Sequence, residues 1–475
     1  MVTSLHLSPL DMGVLGVFVA ALLGLGFSAR LRDHSMLQFL AAGRGLTLPF
    51  FVATLVSTWY GGILGIGESV MYYGLGTWVL LGVPYYGFAI VYATLYAERV
   101  RGAEQISLPE RLEHRFGRGV ALVGAVLVFL LAVPSFHVLM LGILVRAATG
   151  WELPVAVVVG AGTGTLFLYR GGLLADVRAS LLAFVLMYVG FACIALYCVV
   201  NYPLAETLGR LPEPLLRWDG GKGLPCVLSF FILGAWTLVD PGFHQRVASA
   251  ASPAVGRRGV FVSVGLWFVF DVLSIVTGLY ALALLDPLPA TGLELFPALG
   301  EAVLPSGLKG VFVCGMVGTI VSAMVGYTLV AGATLGRDFV ARIRGGTDAD
   351  AKRWTRIGMA VATVIAIGLA LAIQSVVLLW YAWGGAIVSA LLVPVAASYG
   401  VVRLRANARW VAGSMIAAFG VSVSLLGYGI RTGNPFVDVV WLGKSFNLGT
   451  LVPGLAVSAV VLTVGGWLSG RQTDG

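Results

Sequence analysis

Thirteen stretches of about twenty mostly apolar residues follow one another along this 475-residue chain, and they dictate its solvent. They run over residues 9–28, 47–71, 76–98, 119–146, 153–170, 178–201, 226–246, 259–284, 307–335, 356–374, 377–401, 409–429 and 449–468, and are numbered spans 1 to 13. A helix of that length covers the roughly 30 Å hydrocarbon core of a bilayer. Only 11% of the residues are charged, whereas a soluble domain carries about a quarter, too few to coat two or three soluble domains. The fold class expected is therefore an all-α integral membrane protein.

The charges report topology. The loops after spans 1, 3, 5, 7, 9 and 11, with the C-terminal tail, hold 23 of the 30 Lys and Arg residues, among them Arg99, Arg101, Arg337 and Arg342. Basic residues collect on the cytoplasmic side, so the N-terminus is expected outside and the C-terminus in the cytoplasm, in an inner or plasma membrane. The net charge of +8 carries no basic run with interleaved aromatics, and no nucleic-acid partner is expected. Cys193, Cys198, Cys226 and Cys314 lack metal or CxxC spacing and read as packing residues. No cationic segment precedes span 1, which reads as a retained anchor and not a cleaved signal. Gly443-Lys444-Ser445 is no phosphate loop, since Asp438 stands where its first glycine belongs. With no HExxH or GxSxG set either, the chain is not expected to be an enzyme, and no cofactor is expected.

Two spans are interrupted. Span 2 contains Ser57-Thr58-Trp59-Tyr60-Gly61-Gly62, and span 7 contains Asp240-Pro241-Gly242. Proline removes a backbone donor and glycine frees φ; at membrane depth such breaks survive only inside protein or beside a wet cavity. The two interrupted spans lie five apart, opening two consecutive five-helix groups. An odd repeat inverts its second copy, and matched breaks in inverted repeats point to a central transport site. The chain then divides into a leading helix (9–28), a first repeat (47–201), a second repeat (226–401) and two trailing helices (409–468). Glycine-rich packing faces with one proline kink would give a similar pattern.

Ionisable groups inside a membrane default to function. Asp240 sits at the break, either neutralising a cation or capping the half-helix that begins at Pro241. Glu68 lies about two turns past the span 2 break; Asp271 in span 8 reads as an ion pair or a proton site; His137 reads as a satisfied core histidine. Trp59, Tyr60 and Trp236 gather at the breaks, where aromatic faces suit an organic cation. Trp380, Tyr381 and Trp383 open span 11 and fit either that cage or the interfacial belt.

Taken with Ala42-Gly43-Arg44-Gly45-Leu46, Leu108-Pro109-Glu110-Arg111, Gly171-Gly172-Leu173, Gln245-Arg246-Val247-Ala248 and Asp338-Phe339, the chain resembles the sodium:solute symporter family over about residues 40–400. The Thr58-Trp59-Tyr60-Gly61-Gly62 stretch looks most like its choline-transporter branch. The resemblance implies a LeuT-type fold, alternating access and Na⁺ as coupling ion. It implies a sodium site on Ser57, Tyr60, Thr319, Ser322 and Ala323, and a substrate cage that keeps Trp59 and Trp380, with Asp240 where a third aromatic is usual. Ala323 replaces a hydroxyl, and Ser180 stands where an Asp is usual, with Asp176 one turn earlier. The expected partners are a small solute, Na⁺ or H⁺, and the lipid bilayer. The expected function is symport of an amine or quaternary-ammonium solute with sodium. Proton coupling through Asp240, Glu68 or Asp271, a proline-like substrate, and a solute sensor that does not transport are the alternatives.

Overall fold

The computed structural model describes residues 4–33, 35–432, 438–441, 444–447 and 449–471. Among these, twelve helices are long and apolar enough to cross a membrane, from Pro9–Phe27 to Leu451–Ser469. Each coincides with an expected span. Span 5 differs: its helix is only Leu153–Thr165, thirteen residues, or about 20 Å. Gly160, Gly162 and Gly164 weaken its C-terminal half as a helix. Span 6 takes over earlier than expected, as Leu168–Asn201 interrupted at Gly172, whose φ is 55°. Among the described residues the membrane spans are all helical. A small antiparallel hairpin, Asp438–Trp441 with Lys444–Asn447, is added between spans 12 and 13. Lys444 and Ser445 thus lie in a strand, not at the start of a helix.

The breaks fall where proline and glycine place them. Span 2 runs as Leu48–Trp59, a 3₁₀ turn over Tyr60–Gly62, and Ile63–Tyr73. Span 7 runs as Leu224–Leu233, a 3₁₀ turn over Gly234–Leu238, and a half-helix Pro241–Ala248. A third break was not foreseen: span 4 stops at Ala132 and resumes at Ser135, because Pro134 cannot donate to the preceding turn. Spans 3 and 11 carry wide π turns over Trp78–Gly82 and Leu379–Gly384. Such turns often sit at functional positions.

Spans 6 and 9 hold the two halves of the molecule together through small residues. A methyl on Gly315 would lie 2.8 Å from the Leu186 carbonyl oxygen and 3.3 Å from the Gly190 Cα. Without a hydrophobic drive between helices in lipid, such backbone contact supplies the packing energy. The contact also aligns the polar residues about two turns beyond it, Ser180 on span 6 and Ser322 on span 9.

Gly315→Val is expected to cost about 1–3 kcal/mol by overpacking, read as a fall in apparent Tm of the detergent-solubilised protein. Gly368→Val, where a methyl meets nothing within 4 Å, serves as the control. Equal melting of the two variants would refute the close packing.

Candidate transport site

The half-helix of span 7 begins in the middle of the molecule, so its first N–H groups need partners that water would otherwise provide. Asp240 provides them. Its Oδ1 accepts the Phe243 N–H at 2.7 Å, while Oδ2 accepts the Tyr327 hydroxyl at 2.7 Å and the Trp236 indole N–H at 3.1 Å. The carboxyl is 2% exposed, and all its partners are neutral. Capping and cavity lining are therefore joint properties of one residue and not alternatives.

The cavity beside it has a volume of about 100 Å³. It brings together Trp59, Tyr60, Trp236, Asp240 and Trp380, the residues expected to meet a solute, and adds Asp271. The Trp59 ring forms an inner wall, with its centroid 5.1 Å from both Tyr85 and Trp267 and 5.9 Å from Phe243. Trp380 lies against the span 2 break, where a methyl on Gly62 would stand 2.1 Å from its ring. It is thus a cavity residue and not part of an interfacial belt. Trp383 faces Phe419 instead, at 6.3 Å.

Sequence reasoning missed Thr77, Tyr85 and Tyr86 from span 3, Phe136 from span 4 and Tyr327 from span 9, which also line the cavity. The Tyr85-Tyr86 pair in mid-span was the available signal. His137 was misread. It stacks on Tyr327 at 5.3 Å and lines the cavity, and its Nδ1 is buried without a partner, as are the Thr58 and Thr77 hydroxyls. The Tyr86 hydroxyl donates to Asp271 and accepts the Trp78 indole N–H at 3.3 Å. No Lys or Arg is among the residues lining the cavity.

Three serines meet on the far side of span 2. The Ser322 Oγ lies 2.9 Å from that of Ser57 and 2.8 Å from that of Ser180. Ser180 donates to Asp176 at 3.1 Å, and Asp176 pairs with Arg246 at 2.8 Å, both wholly buried. Ser180 stands where the resemblance leads one to expect an Asp; it reaches the Asp176 carboxylate one turn earlier, but that carboxylate is already shared with a guanidinium. Thr319 donates to the Gly315 carbonyl at 2.6 Å, one turn away, and the Tyr60 hydroxyl donates to the Trp267 carbonyl at 2.8 Å. Ala323 packs against the break at Gly61, where a methyl would stand 1.9 Å from its Cβ.

Glu68 has a different task from the one expected. It accepts from the Ser375 hydroxyl at 2.6 Å and from the Val376 and Val377 N–H groups at 3.0 and 3.2 Å. It caps the start of span 11 and does not line the cavity. Helix capping by a carboxylate from another span leaves no local trace in sequence.

Comparison with known proteins agrees with this architecture. Residues 223–408, the second five-helix group, match the model of the sodium:solute symporter family. No curated protein matches the chain. A substrate-bound, outward-open Na⁺-coupled sialic acid symporter superposes with a TM-score of 0.79 at 14% identity, over 98% of each chain. Mhp1, a nucleobase-cation-symport-1 family transporter in a closed conformation with bromovinylhydantoin bound, gives 0.58 at 14% identity, over 90% of this chain and 93% of the other. Its inward-facing form gives 0.50 at 14% identity, over 94% of each. The class is therefore a polytopic helical membrane protein with the LeuT-type fold. The family match is confined to residues 223–408, and nothing in these matches points to the choline branch.

The Asp176–Arg246 pair makes its own prediction. Removing one partner strands a buried charge, at a cost of about 3–5 kcal/mol. Asp176→Asn and Arg246→Gln should each lower thermal stability sharply, and the double variant by less than the sum. Additive losses would mean that the two residues act separately.

Proposed function

We propose that this chain is a secondary symporter that takes up a small organic cation, an amine or quaternary-ammonium solute, together with Na⁺. It works in a cell membrane with its N-terminus outside. The observation that carries the reading is the cavity itself: two buried carboxylates, Asp240 and Asp271, and aromatic walls from Trp59, Trp236 and Trp380, with no Lys or Arg lining it. A buried carboxylate must be protonated or compensated, and with no Lys or Arg in the lining a cationic solute or ion is the partner that fits it. A zwitterion such as proline would leave its own carboxylate unpaired, which disfavours the amino-acid alternative. Tyr60 lines the same cavity and would contact the solute from span 2.

For the ion, the Ser57, Ser180 and Ser322 hydroxyls form an oxygen cluster of the kind a hard cation prefers, with Asp176 behind it. We assign Na⁺ to this cluster, helped by the Tyr60 backbone, with Thr319 one turn away. The family match at residues 223–408 supports this choice. A second reading has one observation in its favour: the Asp176 carboxylate is held by Arg246, which weakens the cluster's pull on a cation. Protons moving through Asp271 would then supply the coupling. The two five-helix groups, 47–201 and 226–401, rock against each other to expose the site to either side in turn.

Uptake into proteoliposomes tests the proposal, using labelled amines, amino acids and sugars with Na⁺ and H⁺ gradients imposed separately. Amine uptake should follow the Na⁺ gradient; uptake indifferent to both gradients would sink the symporter reading. Ser322→Ala should raise the KM for Na⁺ about five- to tenfold, the loss of one hydrogen-bond-sized contact. Asp240→Asn, which keeps the cap, should reduce amine uptake more than that of any zwitterion.

A further inference from the structure

The cavity has two polar ends. At one, Asp240 is joined through Tyr327 to His137, whose Nδ1 is buried and unpartnered. At the other, Asp271 is joined through Tyr86 to Trp78, next to Thr77, whose hydroxyl is likewise buried and unpartnered. Each end thus pairs a carboxylate held only by neutral donors with a polar atom still lacking a hydrogen bond. Among the described residues neither carboxylate pairs with a cation, and the buried Arg246 guanidinium is spent on Asp176.

Apart from Thr58, the rest of the lining is apolar or aromatic. The Trp59 ring is part of it, contacting Trp267, which precedes Asp271 on the same helix by one turn, about 6 Å along the axis. Ile66, Leu81 and Ile275 complete it. A single ammonium would satisfy one carboxylate and leave the other buried without a counter-charge.

We propose that the solute is a primary diamine with a short methylene chain, bound along the cavity with one ammonium at Asp240 and the other at Asp271. This rests on the cationic-solute reading above and sharpens it. A primary ammonium has three donors, enough for a carboxylate oxygen plus the waiting His137 or Thr77 atom. A quaternary ammonium has none and would leave both atoms orphaned. The methylene chain lies against Trp59. A diamine brings one ammonium for each of the two carboxylates in the lining.

Equilibrium binding to the purified full-length protein in Na⁺ tests this, with 1,4-diaminobutane, n-butylamine and tetramethylammonium as probes. The diamine should bind about tenfold or more tightly than butylamine, the worth of one additional hydrogen bond to a charged group. Tetramethylammonium should be the weakest. In Asp271→Asn the diamine-to-butylamine preference should collapse to about one, and in Asp271→Glu, which keeps the charge, a preference should persist. Butylamine binding wild type as tightly as the diamine, or a preference unchanged in Asp271→Asn, would overturn the proposal. Butylamine uptake that still follows Na⁺ in that case would leave the simpler amine reading standing. Uptake of neither compound would remove both.

Discussion

A helix broken in the middle of a membrane has to find partners for backbone groups that lipid cannot satisfy, and much of this molecule is arranged around one solution to that demand. Asp240 closes the start of the span 7 half-helix and, with the same carboxyl, gathers Tyr327 from span 9 and Trp236 from its own span. Those two side chains are also walls of the cavity. The capping bond that makes the break tolerable therefore installs a negative charge at the centre of the bundle. The span 2 break needs no such cap, because a short 3₁₀ turn over Tyr60–Gly62 carries the chain through it.

The half-helix also connects two sites. It is only eight residues long, with Asp240 at its N-cap and Arg246 in its last turn. Arg246 reaches Asp176, and from there hydroxyls run through Ser180 and Ser322 to Ser57 on span 2. Cavity and hydroxyl cluster thus share one short rigid element. On the proposed reading, solute at one end and ion at the other bias the position of the same half-helix, which is the differential contact that coupling requires.

Much of this was legible in sequence, for identifiable reasons. Spans are set by local hydrophobicity, and breaks by Pro241 and the Gly61-Gly62 pair, so both read directly. Span 5 came out short, since clustered glycines look apolar without favouring helix. What could not be read were partnerships between distant spans. Glu68 caps a helix 307 residues further on, and Asp176 meets Arg246 across 70; neither spacing leaves a local pattern. His137 looked like an ordinary core residue because its chain neighbours are apolar, and only the assembled bundle shows its Nδ1 facing no partner. Trp380 could not be told from a belt residue until Gly62 was seen to admit its ring to the span 2 break.

The central claim is that a positively charged solute enters the Asp240 cavity in step with Na⁺. Electrical recording on proteoliposomes adsorbed to a solid-supported membrane tests it most directly. With equal Na⁺ on both sides, adding amine should produce an inward current of positive charge that disappears when Na⁺ is replaced by an inert cation and in Asp240→Asn. An amine-evoked current of the same size without Na⁺, or in Asp240→Asn, would contradict the account.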